Sequence, residues 1–593
     1  MKKITTIMCV LMALLMLLSA CGQEAANNDA VPAVTANSGA VMPEGDDADN
    51  EVEATQVSEE EIDAQQFINY ILYYDPSVID GTMTNKSMDA MIICNVNVPL
   101  TEIAQGTNGL KIVGGGAESW EVSDDGLVYT FKLRDFNWED GVKVTAEQYA
   151  YSIRRILDPA NASPVSYMLF DIKNAAACVK GEITPDEVGI KALDENTLEI
   201  TLEKVTPYFV QLTYQPYFTP TREDLVNEWG SQFGTSVETT MSCGPFKLSE
   251  WVHDSKMTLV KNDAYWNAEE VKLGQINLKL IRDMQAMMSE LMNHTIDRAS
   301  VSVPEWRQKL IATNEFSYGD YILSGTYSLF MNTKYVDDNG NNILGNAKVR
   351  RAIAACIDKE EAAMMLKTDM AIPATGYVPS ELQMDGINFR NESGYNVMEA
   401  FAESVSDPKA LLIEGLTELG LDPDPSLYSI EYLVGSTAAS SKTEAEYFYE
   451  VIKNNLGLNL EVVQVESGVA RQRRADGEFG MTYVTSYADY NDPSTYLNGW
   501  ATYLEKHNTN TGYDNVEYDK LIDAANASTD TAERLELFSA AEKLLVETDC
   551  IIIPIYHPMS SMMNGIYIKG FINQNYAATQ FKTVYTVGRP ETN

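Results

Sequence analysis

The stretch Ala117-Glu-Ser-Trp-Glu-Val-Ser-Asp-Asp-Gly-Leu-Val-Tyr-Thr-Phe-Lys-Leu-Arg134 constrains the chain most, because nearly every residue in it has a defined job. Val128 to Leu133 alternates inward and outward residues, as a half-buried strand does. Asp125-Gly126 before it, and Asp140-Gly141 after Trp138, are turn dipeptides. Thr145, with Glu147 and Gln148 two and three residues on, caps a helix carrying Tyr149, Ile153 and Ile156. The spacing therefore predicts a hairpin leading into a helix, and its role is scaffold rather than ligand contact.

Strand and helix patterns interleave through the rest. Gln66 to Tyr73, Gly189 to Leu193, Thr197 to Leu202, the pair Phe246 to Trp251 and Lys256 to Val260, and Ile551 to Tyr556 predict strands. Val349 to Ile357 predicts a helix with Arg350 and Arg351 outside and Val349, Ile353, Ala354 and Ile357 inside. Asp407 and Pro408 start a helix from Lys409 that Gly420 stops. Glu444 to Asn455 is a helix followed by the strand Asn459 to Val465, and Asn515 to Ala527 and Ala532 to Glu547 are two more helices. This is the grammar of an α/β protein.

Five stretches in a fixed order carry a resemblance. They are the hairpin above, Ser242-Cys-Gly-Pro-Phe-Lys-Leu-Ser-Glu-Trp251 with Asn262-Asp-Ala-Tyr-Trp266, Val349-Arg-Arg-Ala-Ile-Ala-Ala-Cys-Ile-Asp-Lys-Glu360, Tyr487-Ala-Asp-Tyr-Asn-Asp-Pro-Ser-Thr-Tyr-Leu-Asn498, and Ile553-Pro-Ile-Tyr556. Together they resemble the extracellular solute-binding proteins, family 5, the oligopeptide- and dipeptide-type receptors of ABC importers. The resemblance implies a type II periplasmic-binding-protein-like α/β fold of two lobes with a hinge and an inserted third domain. Lobe I would use 65–97, 223–324 and 560–593, the insert 98–222 and lobe II 325–559, with the hinge near residues 324 and 559 and the ligand between the lobes.

The ends fit that location. Lys2 and Lys3 precede an apolar run, Ile7 to Leu18, too short to span a bilayer, so residues 1–20 predict a signal peptide. Leu18-Ser-Ala-Cys21-Gly resembles the lipobox of bacterial lipoproteins, which implies lipid on Cys21 and anchoring to the membrane. Gly22 to Asp63 holds 12 acidic residues and no basic ones, so 21–64 predicts a solvated tether. The expected location is the outer face of a bacterial cytoplasmic membrane, or its periplasmic side in a diderm cell.

Net charge is −43, and −33 remains on 65–593 once the two leader lysines and the tether's 12 acids are set aside. That argues against nucleic acid as a partner. Cys94, Cys178, Cys243, Cys356 and Cys550 have no metal-ligand spacing, and His253, His294, His507 and His557 are scattered, so neither a metal nor a cofactor is expected. No nucleophile elbow, P-loop or dinucleotide fingerprint points to an enzyme. The expected partners are short peptides and an ABC permease and ATPase complex, with the protein itself a monomer.

A peptide's α-ammonium loses its water in a closed cleft, which costs several kcal/mol unless a carboxylate replaces that water. The resemblance assigns this role to Asp489, in Tyr487-Ala-Asp-Tyr, with Tyr487 beside it. Asp492 fits an N-cap with Pro493 at the first helical position. Backbone contacts to an extended ligand are expected next to Tyr483–Asp489 and Gly325–Ser328. Arg474 aligns with an arginine facing the ligand's C-terminal carboxylate, although Arg471, Arg473 and Arg474 also fit a solvated helix face. The chain departs from the best-known branch at Tyr483, where a second arginine would stand, and at Ser486, which replaces an aromatic. Tyr167 and Tyr327 are wall candidates, with a core position the stronger expectation for each. Alternatives are the same fold with another solute (a dipeptide, nickel, haem, an opine or an oligosaccharide), a peptide-signal receptor without import, and a hydrolase.

Overall fold

A computed structural model describes residues 62–106, 109–384, 386–502 and 509–590. The expected signal peptide, Cys21 and most of the expected tether lie outside the described residues. By contacts the chain divides into Met1–Met42 and Pro43–Asn593, and all the described residues lie in the second unit. Among the described residues no helix is long and apolar enough to cross a membrane.

The opening hairpin is present. Ala117–Val122 pairs antiparallel with Val128–Leu133, and Gly126 takes the left-handed φ of +69° that its turn requires. Helix Ala146–Leu157 starts with a capping box in which the Gln148 side chain accepts from Thr145 N and Thr145 accepts in return. Trp138 is buried and donates to Gln148 Oε1, so the motif's aromatic residue braces the cap. Ile190–Asp194 and Thr197–Thr201 complete this four-stranded antiparallel sheet.

A second sheet joins sequence-distant strands. Phe67–Leu72 runs parallel to Gln275–Leu280, which continues antiparallel into Lys256–Lys261 and Phe246–Val252. The largest sheet has eight strands. In it Gly325–Met331 lies between Met481–Tyr487 and Ile552–Gly565, and Ser429–Val434 pairs parallel with both Asn459–Gln464 and Met481–Tyr487.

Two large hydrophobic cores result. One draws on residues 68–316 and 563–584, the other on 327–556. The segment 98–222, expected as a separate insert, has its own sheet, yet its buried side chains join the first core. Near residue 324 the chain crosses between cores through Leu323 and Ser324, the short link between Phe316–Ile322 and Gly325–Met331. Near residue 559 it crosses inside the unbroken strand Ile552–Gly565, which pairs with Gly325–Met331 on one side of the crossing and with Arg298–Val301 and Phe316–Ile322 on the other.

Three local expectations need correction. Arg350 is 5% exposed rather than on the solvent face of its helix, which runs Ala347–Ala355; its guanidinium donates to Asp549 O and Leu344 O and so ties up loose carbonyls. The tether does not extend through Asp63, whose carboxylate accepts from Gly588 N and Arg589 N and pins the chain's end. Gly325–Ser328 is not an edge: it pairs with Met481–Tyr487 along one side, and from Tyr327 onward the strand Ile552–Gly565 takes the other. The five cysteines of the body are buried and unbridged, and burial pushes Cys243, Cys356 and Cys550 up to about 12.

Candidate functional site

Strand Met481–Tyr487 organises the site. One edge pairs with Gly325–Met331 along its whole length, from Gly325↔Tyr487 to Met331↔Met481. The other edge pairs with Ser429–Val434 only at Met481 and Thr482. From Tyr483 to Tyr487 that second edge has no strand partner among the described residues. On this half of the strand Ser486 O accepts from the Tyr496 hydroxyl at 2.8 Å.

The chain then turns into the loop bearing Asp489. Asp489 N donates to Thr495 Oγ1 at 3.0 Å, and Ala488 N donates to Ser324 O at 2.8 Å. The Asp489 carboxylate keeps contact with solvent. Enough protein surrounds it for desolvation to raise its pKa, and no cation pairs with it among the described residues. Both properties fit the wall of an open cleft. Burial raises the Tyr167 and Tyr217 phenols, and the charge of Asp489 raises them further.

The same loop bridges to the 98–222 segment. Tyr490 stacks on Tyr208 with ring centroids 4.2 Å apart, and Asn491 N donates to Gln211 Oε1 at 3.0 Å. Behind it, Asp492 is almost wholly buried. It accepts from Ser494 N, as an N-cap would, but its main partner is Arg534, whose Nη2 lies 3.1 and 3.0 Å from its two carboxylate oxygens. This buried pair was not legible in the sequence, because the two residues are 42 positions apart.

The remaining candidates divide. Tyr487 is exposed, with its ring across Gly325, where a Cβ would lie 2.6 Å from Tyr487 Cε1. Gly325→Ala is therefore expected to swing the ring away and weaken ligand binding about 2- to 12-fold by calorimetry, the worth of one aromatic contact. Unchanged affinity would remove Tyr487 from the cleft. The Ser486 hydroxyl is engaged with the Tyr377 hydroxyl at 3.0 Å. Tyr167 is 55% exposed, so the core expectation fails for it. Tyr327 is 3% exposed and packs between Tyr483 and Tyr556, which removes its side chain from the wall.

At the far end Arg474 is half-buried against Gly435, where a Cβ would lie 3.2 Å from Nη1, and its Nε has no partner among the described residues. Burial lowers its pKa while the Tyr483 phenol raises it. Arg473 pairs with Glu431 at 2.8 Å, and Arg471 is exposed, so the three arginines do not share one role. Sequence reasoning missed Lys367 and Glu444, which pair at 2.6 Å, with the Glu444 charge felt by the Tyr483 phenol. Asp489 lies six positions after Tyr483, a reach of at most roughly 20 Å at an extended rise. Among the described residues no group of His, Cys, Asp and Glu is arranged to hold a metal ion.

Residues 111–508 match the family described as bacterial extracellular solute-binding proteins, family 5 Middle. The oligopeptide-binding protein OppA of Bacillus subtilis (strain 168) is 28% identical over 528 residues, 87% of this chain and 92% of that protein. The substrate-binding domain of an oligopeptide ABC transporter from Bacillus anthracis str. Ames is 30% identical, with a TM-score of 0.70 over 89% of this chain and 100% of that one. Listeria monocytogenes OppA bound to peptide is 28% identical, with a TM-score of 0.67 over 88% of this chain and 99% of that one. The fold is thus the two-lobed α/β fold of type II periplasmic binding proteins, and it serves binding rather than catalysis. The chain belongs to the bacterial extracellular solute-binding proteins, family 5.

Proposed function

We propose that this protein captures short peptides between its lobes and delivers them to an ABC permease and ATPase complex, anchored to the membrane by lipid on Cys21. One observation carries the reading: the unpaired edge from Tyr483 to Tyr487 leads directly to a carboxylate with no cation. A peptide added along that edge satisfies its own backbone with main-chain groups, which places no demand on its side chains. Its ammonium group meets Asp489. Its other end approaches Arg474, where a carboxylate finds positive charge. Relatives named for oligopeptide binding support the same ligand class.

Calorimetry with a tetrapeptide and its N-acetylated form tests the reading. Acetylation removes the charge while leaving the backbone, so binding should fall at least a hundredfold. Equal affinities would end the proposal.

The raised pKa of Asp489 fixes a pH dependence. The ammonium group needs the ionised carboxylate, so affinity is flat near neutrality. It falls about tenfold per pH unit once pH drops below that raised value, and the fall begins above the ordinary aspartate value of 3.8. For folding the sign is opposite. The folded state holds this proton more tightly than the unfolded state, so ionised Asp489 costs stability at neutral pH, and acidification relieves that cost. Affinity unchanged down to pH 3.8 would contradict the assignment.

A further inference from the structure

Tyr490 joins the two hydrophobic cores away from the crossing strands. The second core and the side chains packed on it come from 327–556. Among the described residues, Tyr490 is the one hydrophobic side chain of that stretch that packs on the first core instead. Its ring lies almost parallel to that of Tyr208, with an interplanar angle of 11°. Each hydroxyl is tied to its own side. Ser494 Oγ donates to the Tyr490 hydroxyl at 3.2 Å, and the Tyr208 hydroxyl donates to Asp171 Oδ2 at 3.2 Å. The two rings are thus oriented separately and meet face to face. Asn491, the next residue, makes a second tie. Its Oδ1 accepts from Gln383 N at 2.8 Å, within its own half, and its N donates to Gln211 Oε1 at 3.0 Å, in the other.

These ties stand where closure and the amine site meet. The loop leaves the crossing at Ala488, whose N donates to Ser324 O at 2.8 Å, then passes Asp489 and reaches the first core at Tyr490. Backbone joins the two cores at Leu323–Ser324 and within Ile552–Gly565. Arg307 also reaches Asp369, at 3.7 Å, but from beside that strand, where its Nε donates to Ser561 Oγ at 2.7 Å. A turn about the crossings parts the rings, because a stack at 4.2 Å and a bond at 3.0 Å allow little travel. Both ties join protein to protein, so they favour the shut arrangement with the cleft full or empty.

We propose that the Tyr208–Tyr490 stack is a built-in latch that draws the two cores together at the amine end, so that protein contacts supply part of the closing a peptide would otherwise have to drive. Both tyrosines are positioning residues: they act on Asp489 and the opposite wall through closure. The latch rests on the peptide reading only for what fills the cleft. Because it acts on the shut state and on no ligand group, it changes the affinity for every ligand by one common factor.

The test uses the mature protein, a free-amine tetrapeptide and its N-acetylated form. Tyr208→Leu removes the stack and keeps the position apolar, whereas Tyr208→Phe keeps the stack. Calorimetry, by displacement for the weaker peptide, reads affinity, and small-angle scattering reads the radius of gyration of the unliganded protein. Tyr208→Leu should weaken both peptides by a common factor of about 2 to 12, the worth of one aromatic pair. Where the unliganded protein is already mostly shut, the same shift shows as a larger radius of gyration instead. Tyr208→Phe should keep both affinity and size. Unchanged affinity together with unchanged size in Tyr208→Leu overturns the proposal. So does a loss confined to the free-amine peptide, which would make Tyr208 a support for Asp489 alone. Should Tyr208→Leu not fold, Tyr490→Leu removes the same stack from a half-buried position. If acetylation costs the unaltered protein nothing, it is the Asp489 assignment that fails, and the common factor and the size still judge the latch.

Discussion

Replacing Asp489 by Asn is expected to weaken binding of a free-amine tetrapeptide by roughly 30- to 4,000-fold. The range follows from about 2–5 kcal/mol for truncating one partner of a desolvated charge pair, at tenfold per 1.4 kcal/mol. The substitution keeps shape and removes charge. Most of the loss therefore comes from an ammonium group that has given up its water and met only a neutral amide. The N-acetylated peptide should lose little on the same substitution, since it brings no charge to Asp489. The two losses, measured with both peptides on both proteins, form a cycle that isolates the ion pair from the rest of the contact. Equal losses for both peptides would mean that Asp489 shapes its loop without receiving the amine.

The second large effect concerns what holds that loop. Arg534→Met should lower the unfolding free energy by about 3–5 kcal/mol in urea titrations, because it leaves the Asp492 carboxylate buried and uncompensated. Burial already raises the pKa of Asp492 despite the pull of Arg534, and a buried ion pair as a whole commonly adds little net stability. Losing one member is what costs. Accordingly, adding Asp492→Leu to Arg534→Met should recover much of the loss. A Met variant as stable as the unaltered protein would show that water reaches Asp492. The ordered loop also predicts a split: the double variant regains stability but not affinity, because Ser494 N has lost its acceptor next to the amine site.

Sequence reasoning followed local chemistry well. The turn at Gly126, the Thr145 capping box, the Asp407 cap and the stop at Gly420 all involve partners a few residues apart, and each formed. It failed where one face of an element meets two environments. Arg350 sits on the polar side of an amphipathic helix, a pattern that ordinarily means solvent, yet that side packs against Asp549 and Leu344. The motif around Asp489 marked where an acidic site lies but not what surrounds it. Tyr208 and Gln211 come from one stretch and Arg534 from another, and they carry no shared signal.

The order of motifs along the chain determined the family and, with it, the two-lobed α/β fold, because turns, caps and alternation are short-range and the sequence writes them directly. Tertiary structure alone decided which strand edge stays unpaired, that Tyr327 lies beneath the surface while Tyr167 stands in the open, and that the Asp489 carboxylate has no cation partner among the described residues. Those properties depend on which distant segments exclude water from a given atom. Water exclusion belongs to the packed chain, and no window of residues contains it.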